Sequence, residues 1–124
     1  MKVFCGTDII EVKRMEESAE NLGPKFLARI FTENEIKYCE QKKMVKYQHY
    51  AARFAAKEAV FKAISSFLND KYQIDWKNIE ILNDKKGKPI VNFIGISFKQ
   101  IESIDLSISH LKEYATANCV ILCK

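Results

Sequence analysis

Apolar and polar positions alternate along Lys2 to Ile10, which reads as a strand interrupted by Gly6 and delivering Asp8 at its far end. The period then lengthens. Glu11 to Leu22 and Pro24 to Phe31 read as helices parted by Gly23, with Pro24 at a first helical position. Thr32 and Glu35 have capping-box spacing and open a third helix through Ile36, Tyr38 and Cys39. The spacing predicts a long helix from about Tyr47 to Leu68, ended by the turn formers Asn69 and Asp70. Beyond it, Ile79 to Leu82, Pro89 to Phe93, Asp105 to His110 and Tyr114 to Leu122 are rich in β-branched and aromatic residues and read as strands. Gly87, within Asn83 to Lys88, supplies a turn that makes the first two a hairpin. Leu111 to Glu113 does the same for the last two.

Most helices precede most strands, and no internal repeat or linker interrupts the chain, so the prediction is one α+β domain over residues 1–124. Its antiparallel sheet packs on the long helix, whose Ala52, Ala56, Ala59, Val60, Ala63 and Phe67 form a close-packing face. A chain of 124 residues buries roughly two thirds of its unfolded surface and folds without staples. No apolar run reaches the length of a membrane span, and the N-terminus lacks the pattern of a secretory signal, so a cytoplasmic protein with no membrane association is expected. Cys5, Cys39, Cys119 and Cys123 lack paired metal-site spacing and read as small apolar residues.

The net charge of +4 is modest but unevenly spread. Lys42, Lys43, Lys46, Arg53, Lys57 and Lys62 stand against Glu58 alone in their stretch, an excess that suits an anionic partner or, more blandly, a solvated face. On the long helix Arg53 and Lys57 stack one turn apart, as do Glu58 and Lys62, and all four are expected on the open half of the cylinder. Glu58 and Lys62 alone are an ordinary helix ion pair. Asp8 alone is an ordinary cap or turn residue. Taken together, two carboxylates among cations have the chemistry to hold a magnesium ion together with a substrate's phosphate oxygens.

Several blocks carry a specific resemblance. Gly6-Thr7-Asp8-Ile9 with Arg14, Arg53-Phe54-Ala55-Ala56-Lys57-Glu58-Ala59 with Lys62-Ala63, Trp76 with Ile79-Glu80-Ile81, Gly87-Lys88-Pro89, and Ser107-Ile108-Ser109-His110 with Glu113-Tyr114-Ala115 occur in that order. In these blocks the chain resembles the holo-acyl-carrier-protein synthases, the short bacterial type of 4'-phosphopantetheinyl transferase. The resemblance implies the transferase fold as a single module, with transfer of phosphopantetheine from coenzyme A to a serine of an acyl carrier protein in fatty acid biosynthesis.

By resemblance, Asp8 and Glu58 would bind Mg2+, and Lys62 would join them in catalysis beside the same phosphate oxygens. Arg53, Lys57, Lys62, Ser109 and His110 would meet the phosphates of coenzyme A, while Gly87, Lys88 and Pro89 would approach its adenine. Arg14, with Lys13, Lys25, Phe26 and Arg29, would face the acidic carrier protein. The resemblance also implies a homotrimer with clefts between subunits. Phe61 departs from it, standing where a smaller or polar residue is expected near the ligand. The competing expectation is a module that binds RNA or another polyanion through the basic stretch, stacking bases on Tyr47, Tyr50 and Phe54. Such a module has no use for Asp8 and Glu58, and the expectation is therefore no nucleic-acid partner.

Overall fold

The computed structural model describes residues 1–68 and 74–124. The first strand, β1 (Lys2–Glu11), runs into α1 (Val12–Leu22) and α2 (Pro24–Ile30), followed by α3 (Glu33–Glu40) and the long α4 (Lys46–Ser65). A short 3-10 turn at Lys43–Val45 leads into α4, and after it come the 3-10 turn at Trp76–Asn78 and the strands β2 (Ile79–Asn83), β3 (Pro89–Phe93), β4 (Ile101–His110) and β5 (Tyr114–Cys123). All pairing is antiparallel, in a three-stranded sheet ordered β1-β5-β4 and a separate β2-β3 ribbon. Both expected hairpins are present, and Gly87 takes the positive φ of 85° that the first one needs.

The long helix is the axis of the molecule. Its alanines at 55, 56, 59 and 63, with Val60 and Ile64, meet Leu106, Ala117, Cys119 and Ile121 from one face of the larger sheet. Ala51, Ala52 and Tyr50 near its start meet Met15, Ile30, Phe31 and Cys39 from the smaller helices. Small side chains on several sides allow one helix to be covered by both layers.

Gly6 does not interrupt β1; it pairs in register with Cys119 inside an unbroken strand. Its role is close approach: a Cβ there would collide with the carbonyl oxygen of Ala59 and stand 2.8 Å from the amide nitrogen of Ala63. β4 starts four residues before the expected Asp105 because a register shift between Ile101 and Ser103 breaks the alternation that marks a strand. The capping box of Thr32 and Glu35 forms as expected. α4 stops at Ser65, where the hydroxyl of Ser65 bonds back to the Lys62 carbonyl at 2.9 Å. The expected stop at Asn69 and Asp70 lies outside the described residues. Cys39, Cys119 and Cys123 are buried apolar fillers, but Cys5 is exposed on the outer face of the sheet. No helix among the described residues is long and apolar enough to cross a membrane.

Candidate functional site

Alternation along β1 sends Phe4, Gly6, Asp8 and Ile10 toward α4, and the absence of a side chain at Gly6 lets the strand lie against the helix. In the same turn of helix, between Ala59 and Ala63, Lys62 meets the strand just past Gly6. Its ammonium donates to the Thr7 carbonyl at 2.9 Å and to Asp8 Oδ1 at 3.2 Å. The expected Glu58–Lys62 ion pair is absent among the described residues; the lysine is drawn to β1 instead. Glu58, on the same side of α4, is half-buried. Burial first, and then the negative charge of Asp8, hold its carboxyl above the usual carboxylate range, with Lys62 opposing both.

These three side chains line a cleft of about 630 Å³. Arg14 from α1 joins them, and Met15, Phe26, Ile30, Phe54 and Tyr114 supply an apolar wall. Such a cleft pairs charge for a phosphate linkage with greasy surface for the rest of a substrate. Phe54 and Tyr114 escaped the sequence reading as cleft residues, because nothing in their spacing separates a wall from a core. Of the expected carrier-facing residues, Arg14 and Phe26 line the cleft, whereas Lys13, Lys25 and Arg29 are exposed on α1 and α2 outside its lining. Lys13 lies 4.0 Å from Glu17. Phe61 lines a smaller cavity of about 220 Å³ with Ile74, Trp76 and Ile79, and Glu58 borders both spaces.

Arg53, Lys57, Glu58 and Lys62 do not share one open half of α4. Lys57 is 0% exposed, and its three ammonium hydrogens are taken by Glu35 Oε1 at 2.7 Å and the carbonyls of Trp76 at 3.0 Å and Ile79 at 2.6 Å. With no donor left, it has none to give a phosphate, which corrects its assignment as a coenzyme-binding residue. Burial pushes the Lys57 ammonium down and the Glu35 carboxyl up, while their contact opposes both shifts. Glu35 reads from sequence as a helix cap alone. Its partner across the core carries no local signal.

Arg53 is also buried, at 4% exposure, with its guanidinium 3.8 Å over the ring of Tyr38 and its Nε lacking a partner. His110 ends β4, its Nδ1 3.0 Å from Gln48 Oε1 and its ring 5.0 Å from that of His49. Burial, followed by the charges of His110, Lys42 and Arg53, depresses His49 to about 4. Ser109 sits beside His110, exposed and in register with Thr116. Gly87 and Lys88 lie in the β2-β3 turn and Pro89 opens β3, and the Lys88 ammonium reaches Asp105 at 2.8 Å. Neither this turn nor Arg53, Ser109 and His110 belongs to the lining of the cleft. The stacking platform expected of a polyanion binder is not formed: Tyr50 is buried with its hydroxyl on Glu40 at 2.6 Å, and Tyr47 bonds Glu20 at 2.7 Å.

Comparison with known proteins gives a consistent result. The sequence profile of the 4'-phosphopantetheinyl transferase superfamily matches residues 4–119. A holo-[acyl-carrier-protein] synthase of Ruminiclostridium cellulolyticum is 47% identical over 126 residues, covering 98% of this chain and 92% of its own. Among solved structures, a holo-(acyl-carrier-protein) synthase from Bacillus anthracis in complex with CoA (3',5'-ADP) is similar at TM-score 0.79 and 37% identity, covering 98% of this chain and 96% of its own. A Chronobacterium ammoniagenes ACPS-CoA complex is similar at TM-score 0.82 and 25% identity, over 100% and 99% of the two chains.

Proposed function

The chain belongs to the 4'-phosphopantetheinyl transferase superfamily, as a holo-acyl-carrier-protein synthase, and from that premise we propose how its cleft moves phosphopantetheine from coenzyme A to a carrier-protein serine. The observation that carries this reading is the convergence of Asp8 from β1 with Glu58 and Lys62 from α4 in one cleft.

The serine oxygen attacks the β-phosphorus of coenzyme A, its new P–O bond replacing the bond to the α-phosphate oxygen. Adenosine 3',5'-bisphosphate leaves, and its phosphate oxygen takes up the negative charge. The serine proton passes to Asp8 or Glu58 through water. Lys62, steadied by Thr7 and Asp8, sets its ammonium beside the departing phosphate and stabilises or protonates it.

The donor set fits a hard divalent cation, because Glu58 is a carboxyl pressed toward neutrality by burial and a neighbouring carboxylate, a strain that a shared positive ion relieves. Asp8 and Glu58 would hold Mg2+, whose charge when bound offsets that of the diphosphate and of the leaving group.

Arg14 at the cleft and the exposed Lys13, Lys25 and Arg29 receive an acidic carrier protein, with Phe26 in apolar contact. The nucleotide end of coenzyme A goes to Arg53, Ser109 and His110, with Gly87, Lys88 and Pro89 near adenine. Because those groups lie outside this cleft, the site is completed across a homotrimer. Support for association comes from the outer sheet face, where Val3, Ile9 and Val120 are 61%, 67% and 47% exposed. The reaction supplies holo carrier protein for fatty acid biosynthesis in the cytoplasm.

The test is to incubate the protein with coenzyme A, Mg2+ and apo carrier protein and to weigh the carrier by mass spectrometry. A gain of one phosphopantetheine per carrier is expected; an unchanged carrier overturns the proposal.

A further inference from the structure

Lys57 and Glu58 are adjacent in sequence and opposite in fate: about 100° of helix rotation turns the first into the core and the second into the cleft. The inward lock on Lys57 is complete. Glu35 Oε1 accepts from Lys57 at 2.7 Å and from the Thr32 amide at 2.8 Å, and Oε2 accepts from the Ile81 amide at 2.8 Å. Around it, Glu80 accepts from the side chains of Thr32, Asn34 and Asn92, and burial's upward push on its carboxyl is outweighed by these bonds. One ion pair thus ties together the first turn of α3, the middle of α4, the Trp76–Asn78 turn and the start of β2.

A buried ion pair is a poor source of stability, since apolar residues of similar volume often serve as well or better. What such residues lack is direction. The carbonyls that Lys57 holds belong to Trp76 and Ile79, and these two residues wall the 220 Å³ cavity that Glu58 also borders. Releasing the pair removes one tie on the turn of α4 that carries Glu58 and the tie on the wall beside it.

We infer that Glu35, acting through Lys57, is a positioning residue for the transfer reaction, fixing the turn of α4 that aims Glu58 at Asp8 and the Trp76–Ile79 wall beside it. This rests on the reading of the cleft as the transferase site.

The experiment compares the unaltered protein with the double variant Glu35→Leu with Lys57→Met, and with Glu35→Asp, which keeps the charge but shortens its reach. The double variant leaves the Thr32 and Ile81 amides and the Trp76 and Ile79 carbonyls without these partners, so it is expected to unfold at a lower temperature, and its kinetics are read below that temperature. Its kcat is expected to fall about 10- to 100-fold, with a smaller change in KM for coenzyme A. Mn2+ binding in the presence of coenzyme A, followed by electron paramagnetic resonance, is expected to weaken roughly 10-fold. Glu35→Asp is expected to lose kcat in the same sense while staying folded, so a double variant that does not fold still leaves a deciding measurement. A merely structural pair makes activity follow stability. Folded variants with undiminished kcat and Mn2+ affinity overturn the inference, and if Asp8→Asn is inactive in the same assay the reading of the cleft survives. No transfer by the unaltered protein overturns both.

Discussion

Gly6 lies against Ala59 so closely that no side chain fits between β1 and α4. The obstacle is backbone on both sides, the Ala59 carbonyl and the Ala63 amide, so neither partner can swing aside as a flexible side chain would. Gly6→Ala is therefore expected to cost at least the upper part of the ~1–3 kcal/mol typical of overpacking, lowering Tm on the order of 10 °C. Activity is expected to fall further than stability, because the displaced strand carries Asp8 away from Lys62. Thermal unfolding and kcat, measured together, check this.

The same contact shows what the sequence makes legible and what it hides. Small residues at 6, 59 and 63 are visible in the chain, as are the hairpins, the Thr32 cap and the candidates Asp8, Glu58 and Lys62. Periodicity reports which face of one element is apolar, not which other element covers it. Gly6 accordingly read as a break in a strand. Lys57 likewise read as an open cation, since a carboxylate 22 residues earlier leaves no trace in local pattern. The i,i+4 spacing of Glu58 and Lys62 suggested that they pair, yet the third partner, Asp8, comes from the other end of the fold.

Lys62→Met removes the ammonium beside Asp8 while keeping its hydrocarbon reach. A preorganised donor at developing charge contributes about 10²- to 10³-fold, so kcat is expected to fall by that factor with KM for coenzyme A changing much less. Steady-state kinetics with saturating carrier protein measures it; an unchanged kcat removes Lys62 from the chemistry.

Asp8→Asn and Glu58→Gln each take one anionic ligand from the proposed ion. Ligand binding to the folded state raises Tm by mass action, so Mg2+ with coenzyme A is expected to raise the Tm of the unaltered protein above that with coenzyme A alone. In both variants that Mg2+-dependent increment is expected to vanish along with turnover. Persistence of the increment in both moves the ion elsewhere.

Arg14 is exposed on α1 and reaches the cleft, while its helix also exposes Glu16, Glu17 and Glu20. The proposed attraction to an acidic carrier is then local, so a single arginine is expected to count. Arg14→Glu is expected to raise KM for the carrier about 10-fold and to flatten the fall of kcat/KM with added salt, leaving KM for coenzyme A nearly unchanged. Equal losses toward both substrates place Arg14 on coenzyme A and not on the carrier.

Glu58 links the site to stability through its proton. Burial and the charge of Asp8 raise its carboxyl in the folded protein, so between the unfolded value of 4.5 and the raised folded value the native state binds more protons than the unfolded one. Stability from this group is fully present below that window and declines as pH rises through it. In the metal-free protein at pH 7.5, Glu58→Gln removes the cost of a half-buried charge and is expected to raise Tm. The gain shrinks as pH falls through the raised folded value, because the native carboxyl takes up its proton and comes to resemble the amide. Thermal melts from pH 4.5 to 8 in the presence of a chelator measure this difference; a gain that grows on acidification reverses the sign and removes the strain that Glu58 is proposed to relieve by sharing a cation.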